Sequence, residues 1–304
     1  MIPQPTESTA IDPSALSLGH LHHTLLSLVA PRPIAFASTV DAEGRPNLSP
    51  FSYFNVFGIN PPVLIFSPAR SVRNLAHKDT TANVHEVPEV VINLVDMDIV
   101  EQASLASCPY PKGVNEFEKA GLQMLPSDLV KPPRVAAAPA SFECAVDQII
   151  PVGNEGGSGN LVICRVLRIH VRQDLLLPDN RINLEALRMV GRMGGNYYVN
   201  ASGAALFEIE KPNEKLGIGF DNLPAALRES AYLSGAELAR LANVSQIPEP
   251  DTETAARLET YVGTQQQAEA GYYPADAPTW VVGVKNLLAQ SKVAEAWQWY
   301  LKHA

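Results

Sequence analysis

Three sets of polar residues along this chain are placed so that they could hold a ligand. The first is Asn47, Ser49, Ser52 and Asn55, inside the run STVDAEGRPNLSPFSYFNVF at 38–57. On a strand, Asn47 and Ser49 share a face with Phe51 while Ser52 and Phe54 share the other, so convergence needs a bend near Pro50. Bent that way, small hydroxyls and free backbone N–H groups suit the carbonyls of a planar heterocycle. On spacing alone, a proline-interrupted hairpin with ordinary turn residues is the favoured reading. The second set is Ser67, Arg70, Lys78, Asp79, Thr80, Thr81 and Asn83. A cation, two hydroxyls and a helix start at Lys78–Thr81 suit a phosphate dianion, and a solvated turn with a helix cap fits nearly as well. The third is Arg192, Gly194, Gly195, Asn196, Tyr197 and Tyr198, where glycines permit close approach and a tyrosine covers a ring, or where a plain loop carries core tyrosines.

Other chemistries lack their signatures. There is no GxGxxG between a strand and a helix, and the spacing within GIGFDN at 217–222 and GRMGGN at 191–196 does not match it. GxSxG, GxxxxGK[ST] and HExxH are absent. Among seven histidines, the adjacent His22 and His23 and the eight-apart His77 and His85 give no metal-ligand pattern, so no metal site is expected. Cys108, Cys144 and Cys164 are too far apart for a CxxC pair and read as reduced packing thiols.

These sets need elements to position them, and 304 residues at 46% hydrophobic composition are ample for a packed core. Residues 1–18 read as a polar arm. A short helix is expected over 19–30, stopping before Pro31 and Pro33. Strands are expected over 33–40, from Arg45 onward after a DAEG turn at 41–44, over 61–68 and over 89–95. Leu75, Thr80, Val84 and Val87 predict a helical turn or two between the last two strands. A helix capped by Asp96 or Asp98 is expected over 97–107, followed by an irregular loop over 108–121. Two strong strand signals follow at 141–150 and 160–171, the first with Phe142, Cys144 and Val146 on an apolar face and Glu143, Ala145 and Asp147 on a wetter one. A short helix over 183–190 leads into a loop at 191–200 that enters a strand. Beyond about residue 205 the chain turns rich in Ala, Leu, Glu and Arg, with helices expected over 223–244, over 251–270 and in the second half of 281–302. The organisation expected is an arm over 1–24, a β core over 25–204 and a mainly helical extension over 205–304.

The net charge of −9, with 23 basic against 32 acidic residues and no basic block, argues against a nucleic-acid partner. No apolar run reaches the length of about 18 residues that a membrane span needs, and the first residues lack a secretory signal, so a cytoplasmic protein is the default expectation.

The segments RPIAFASTVDAEGRPNLSPFSYFN, PPVLIFSP, HKDTTANV, EVVINLV, PYPKGVNEFEKAGL, KPPRVAAAPASFEC and GRMGGNYY occur in this order. Together they resemble the flavin reductase-like family of FMN-binding split β-barrels over residues 25–200. The resemblance implies a mainly β fold, a split β-barrel with short helices. It also implies a homodimer with one FMN per subunit beside the dimer interface, FAD being the other flavin possible, and hydride supplied by NADH or NADPH. On that pattern Ser49, Pro50, Phe51 and Ser52 lie against the isoalloxazine ring with Asn55 nearby. Ser67 and Arg70 neighbour the ribityl chain or phosphate, Lys78, Thr80 and Thr81 bind the phosphate, and Asn83 supports that turn. The loop 110–118 and the segment Gly194–Tyr198 cover the cofactor or nicotinamide pocket. The flavin would carry the hydride chemistry, the protein supplying position and electrostatics. The C-terminal extension departs from a minimal member and could cover the barrel, enlarge the dimer interface or narrow the acceptor site. Three functions stay open: a flavin reductase feeding a monooxygenase, an enzyme that retains FMN and reduces a small organic or metal acceptor, and a flavin- or haem-binding module without turnover.

Overall fold

The computed structural model describes residues 7–72, 75–209, 216–268 and 277–304. The first six residues of the expected arm, two residues of the 71–88 connection and the end of the helix expected over 251–270 lie outside the described residues. The chain divides into two compact units, Ile11–Phe207 and one built on Glu208–Ala304.

The first unit starts with α1 (Leu18–Leu28), capped by the Ser17 hydroxyl. Strand β1 (Ala35–Val40) is buried at every position. Asp41 then organises the turn, its carboxylate accepting from the Glu43 and Arg45 amides, with Gly44 at φ +82. Strand β2 (Pro46–Phe51) returns antiparallel to β1, pairing Ala35 with Phe51 and Val40 with Pro46. Next come β3 (Phe54–Ile59), β4 (Pro62–Phe66), α2 (Asp79–Glu86), β5 (Glu89–Asn93), α3 (Val100–Leu105), α4 (Glu116–Lys119), β6 (Met124–Leu125) and β7 (Arg134–Val135). The long hairpin β8 (Ala140–Pro151) and β9 (Asn160–Val171) follows, then α5 (Leu184–Leu187), β10 (Met189–Arg192) and β11 (Tyr198–Ala201).

Seven strands form one antiparallel sheet in the order β2-β1-β5-β8-β9-β4-β3. Its two edge strands, β2 and β3, are consecutive in the chain and separated only by Ser52 and Tyr53. A flat seven-stranded sheet would be about 29 Å across at the usual strand spacing. The three peptide units from Phe51 to Phe54 span at most about 11 Å. The sheet therefore curls until its edges meet at this corner, as a barrel split between β2 and β3. The Phe51 and Phe66 rings, from β2 and β4, lie 5.5 Å apart, and the Tyr53 carbonyl accepts from the Ser67 amide. Leu64, Ile92 and Val162 fill the interior with them, and Val84 of α2 packs into the same cluster. A second cluster on Phe36, Leu48, Val95, Ile99 and Phe117 joins the sheet to α3 and α4.

Several local expectations are corrected. The bend falls at Ser52–Tyr53 and not at Pro50, because Pro50 keeps its register opposite Phe36. Leu75 stands at φ +57, outside α2, so it takes no part in that helix. Neither Asp96 nor Asp98 caps α3; Ile99 holds the cap position and Asp96 accepts from the Asp98 amide. The 108–121 loop contains α4, capped by Asn115. The segment at 191–200 is the β10–β11 hairpin. The segment 281–302, expected to be helical in its second half, is helical in its first half as well, with a break between Ala289 and Val293.

The interior also holds charge. Glu116 accepts from the Leu48 amide at 2.9 Å and from Asn47 Nδ2 at 3.1 Å. Asn47 Oδ1 accepts from Thr80 Oγ1 at 2.8 Å, and Asn83 Nδ2 donates to Thr39 Oγ1 at 3.0 Å. This network ties α4 and α2 to β1 and β2. Glu143, expected on a wetter face, is fully buried: its carboxylate accepts from the Asp128 and Leu129 amides, and His170 Nε2 lies 2.6 Å away. Cys144 and Cys164 are buried free thiols, and burial pushes Cys144 up to about 12, which makes it a packing residue without thiolate chemistry. Cys108 is exposed.

The second unit contains α6 (Ala225–Arg228), α7 (Gly235–Ala242), α8 (Thr252–Ala268), α9 (Thr279–Ala289) and α10 (Val293–His303). Leu238, Leu241, Val284, Leu287 and Trp297 form its own core. Ser234 and Glu237 make a capping box at α7, and the same Glu237 pairs with Lys285 at 2.8 Å. No described helix is long and apolar enough to cross a membrane.

Glu116→Ala should cost about 2–4 kcal/mol in urea unfolding because it orphans the Leu48 and Asn47 donors, and Thr80→Val about 1–2 kcal/mol because Asn47 Oδ1 keeps only a long contact. Equal effects would remove Glu116 from the centre of the network. The two buried glutamates should respond to pH with opposite signs. Burial raises Glu143, but the Asp128 amide, His170 and the Leu129 amide outweigh it, so its folded pKa lies below the ordinary value. Its contribution is present above the unfolded pKa and is lost as pH falls through the folded one. Burial raises Glu116 against its donors, so its contribution is present below the unfolded pKa and is lost as pH rises through the folded one. Unfolding curves of Glu143→Gln should therefore converge on the parent's on acidification. A constant gap across the acid range would contradict this assignment.

Candidate functional site

The corner at Ser52 is held by an arginine. Arg32 is 6% exposed, and its guanidinium donates from Nη1 to the Leu26 and Val29 carbonyls at the end of α1, from Nη2 to the Met193 carbonyl and from Nε to Ser52 Oγ. Backbone bonds in both directions link Arg32 to Arg192 on β10. One side chain thus satisfies otherwise unpaired helix-end carbonyls and fastens the β10–β11 hairpin to the corner. Burial lowers the Arg32 pKa, Tyr53 opposes that, and the neighbouring Arg192 adds to it.

Beside this corner is a cavity of about 210 Å³. Ile34, Pro50, Phe51, Val100 and Ala103 form its apolar walls; Ser52, Ser104 and Ser107 bring hydroxyls; Arg192 and Tyr198 complete it. The Arg192 guanidinium lies over the Tyr198 ring, 4.6 Å from its centroid.

A second region begins where the Tyr53 carbonyl meets the Ser67 amide. The ribbon 67–70 runs along the start of β9: Asn160 donates to the Pro68 carbonyl, Ala69 bridges Gly159, and Arg70 exchanges backbone bonds with Ser158 and Gly157. Gly159 gives the Ser67 hydroxyl its place, since a Cβ there would stand 2.5 Å from Ser67 Oγ and push it aside. After Arg70 the chain closes on itself through Ser71–Ala76 and Leu75–Ser71 backbone bonds and enters α2 at Lys78. The charge of Arg70 reaches the end of this loop, because His77 is lowered by burial and then by Arg70 and His85. Among the described residues, three buried polar atoms here have no hydrogen-bond partner: Ser67 Oγ, Arg70 Nε and Thr81 Oγ1. An unsatisfied buried polar atom is costly unless a ligand or water completes it.

The twelve residues singled out from the sequence therefore separate. Pro50, Phe51, Ser52 and Tyr198 line the cavity. Ser67, Arg70 and Thr81 carry open polar atoms, and Lys78 is the exposed cap position of α2, with no side-chain cap bond. Thr80 Oγ1 and Asn83 Nδ2 are engaged inside the fold by Asn47 and Thr39, so these groups help to place α2. Ser49 is half-buried opposite Ala37 in mid-strand, and Asn55 is exposed on β3 with Oδ1 accepting from the Val56 amide. Sequence reasoning missed Arg32, Glu116, Gly159 and the α3 wall. Arg32 sits between prolines with no spacing signal, while Asn115 ahead of Glu116 was a readable helix cap. Among the described residues one histidine–carboxylate cluster, Asp128, Glu143 and His170, has the compactness of a metal site, but internal hydrogen bonds and the Arg168–Asp128 pair occupy it.

Residues 27–184 match the protein-family model described as the flavin reductase like domain. An uncharacterized protein of Aquifex aeolicus is 38% identical over 189 residues, which is 62% of this chain and 94% of that protein. One of Bacillus subtilis is 30% identical over 186 residues, 60% of this chain and 90% of that protein. Among solved structures, nitrilotriacetate monooxygenase component B from Bacillus cereus superposes with a TM-score of 0.63 at 30% identity, covering 67% of this chain and all of the other. The 2-nitrobenzoate 2-nitroreductase of Pseudomonas fluorescens gives 0.61 at 27% identity, covering 69% of this chain and all of that one. With the family match spanning more than half of its length, this chain belongs to the flavin reductase-like family of FMN-binding split barrels.

Proposed function

We propose that this oxidoreductase holds FMN, with its phosphate among Ser67, Arg70 and Thr81, and draws hydride from NADH or NADPH. The observation that carries this reading is the set of three buried, unpartnered polar atoms on the ribbon and on the first turn of α2. A guanidinium, two hydroxyls and a helix N-terminus form a donor set for a phosphate dianion. Asp79 at the first helical position already complements the positive helix end, so discrete donors must carry the anion. A bound flavin supplies hydride acceptance and onward electron transfer. The chain's own residues supply position: Arg32 fixes Ser52, Phe51 is braced on Phe66, and the fixed corner presents Pro50–Ser52 as a rigid edge. The exposed Val56, Phe57 and Ile59 on edge strand β3 favour a homodimer.

A second reading, an enzyme that keeps its flavin and reduces a small bound acceptor, is favoured by the cavity beside Ser52 and by the similarity to a nitroreductase. The similarity to a monooxygenase component favours delivery of reduced flavin to a partner. Gel filtration of the reduced protein separates the two, since a retained flavin elutes with the chain.

The function is tested by adding NADH or NADPH to the flavin-loaded protein without oxygen and following the visible flavin band. Bleaching by either nucleotide is expected and identifies the donor; a protein that neither binds FMN nor bleaches would end this reading. The phosphate assignment has its own test. Arg70→Gln and Thr81→Val should each weaken FMN about tenfold or more, the scale of a lost hydrogen bond to a charged group, while riboflavin affinity stays nearly unchanged. An equal loss for riboflavin would place these residues away from the phosphate.

A further inference from the structure

The cavity at the Ser52 corner shares Pro50–Ser52 with the flavin reading, which leaves its Arg192 and its α3 wall unused. An apolar cavity of about 150 Å³ accepts benzene. At about 210 Å³ this one takes a single substituted ring. Its walls provide flat apolar surface from Ile34, Phe51, Val100 and Ala103. One guanidinium, that of Arg192, lines it, a second, that of Arg32, stands behind Ser52, and no acidic side chain lines it, in a chain whose net charge is −9.

The two arginines differ in availability. Arg32 directs Nε, Nη1 and Nη2 to Ser52 and to three backbone carbonyls. Arg192 makes no side-chain hydrogen bond and no ion pair among the described residues; its guanidinium is steadied only by the Tyr198 ring. A stacked guanidinium with an open donor edge matches a carboxylate with two parallel N–H···O bonds. The half-buried position of Arg192 gives that pair more weight than a fully solvated one would have. Ser104 and Ser107, exposed on and just after α3, add hydroxyls at the rim.

The geometry points to this cavity as a binding site for a planar, single-ring carboxylate, with Arg192 pairing its charge and fixing its orientation. The assignment deepens the second reading above by naming its acceptor class, and it rests on that reading only for the reduction of the bound ring. Ring burial supplies affinity, and Arg192 supplies the choice of an anion over a neutral ring of the same shape.

Nicotinate and nicotinamide are suitable probes, being rings of one shape that differ in carboxylate against carboxamide. Calorimetric titration of the flavin-loaded protein should find one nicotinate per chain, bound about tenfold or more tighter than nicotinamide, a ratio on the scale of one charge-assisted hydrogen bond. Arg192→Met should bring that ratio to about one, and Arg192→Lys should leave it intermediate, since an ammonium keeps the charge but loses the fork. Ser104→Phe, which fills the rim from an exposed position, should weaken both probes. Equal binding of the two probes, tighter binding of nicotinamide, or an unchanged ratio in either arginine variant would overturn the assignment. FMN affinity measured on the same samples reports separately on the flavin reading: selective nicotinate binding by a chain that takes no FMN would sustain the cavity and remove the cofactor.

Discussion

Two residues decide the shape of the N-terminal unit. Ser52 and Tyr53 connect strands that occupy opposite edges of a seven-stranded sheet, and so short a link can be made only if the sheet closes on itself. Everything in the candidate site depends on that corner. Closure brings Phe51 of β2 against Phe66 of β4, gives the Tyr53 carbonyl to Ser67, and so starts the ribbon that carries Arg70 along Gly159. Arg32 makes the corner rigid by joining it to the end of α1 and to the β10–β11 hairpin. A site built on such a brace can aim groups that a free loop could not.

The price of the arrangement is buried charge. Arg32, Glu116 and Glu143 are each removed from water, and each is compensated by a set of backbone or amide partners. Compensated charges of this kind add little net stability compared with apolar packing, but removing one partner is costly, so the arrangement is specified tightly. Glu116 and Asn47 illustrate the consequence. They orient Thr80 and hence α2, and the neighbouring Thr81 is then left pointing an unpartnered hydroxyl from the same helical turn. Adjacent threonines thus divide between one that holds the helix and one whose hydroxyl stays open.

The C-terminal unit builds its own core from α7, α9 and α10, with Trp297 Nε1 donating to the Leu241 carbonyl and Gln298 holding the start of α8 through the Asp251 amide. It has a hydrophobic core of its own, as a domain does. Its aromatic core explains why residues beyond the barrel carry helical periodicity at all.

Much of the architecture was legible from the chain alone. The strand-forming runs at 35–40 and 89–93, the Asp41–Gly44 turn and the long β8–β9 pair are local patterns, and local steric and burial preferences suffice to specify them. The ordered motifs from RPIAFASTV to GRMGGNYY likewise carried the family and its flavin. What the chain alone did not decide is which polar groups are already satisfied. Thr80 and Thr81 read alike in sequence, as do Arg32 and Arg192, and Glu143 sits in an alternating strand where a solvent-facing acid was expected. Periodicity reports the face of one strand or helix, whereas hydrogen-bond satisfaction depends on partners brought from distant positions: Glu116 to Asn47, Met193 to Arg32, His170 to Glu143. The sequence alone therefore determined a split barrel of the flavin reductase-like family, and only its closure decided which polar side chains, among the described residues, were left without a partner.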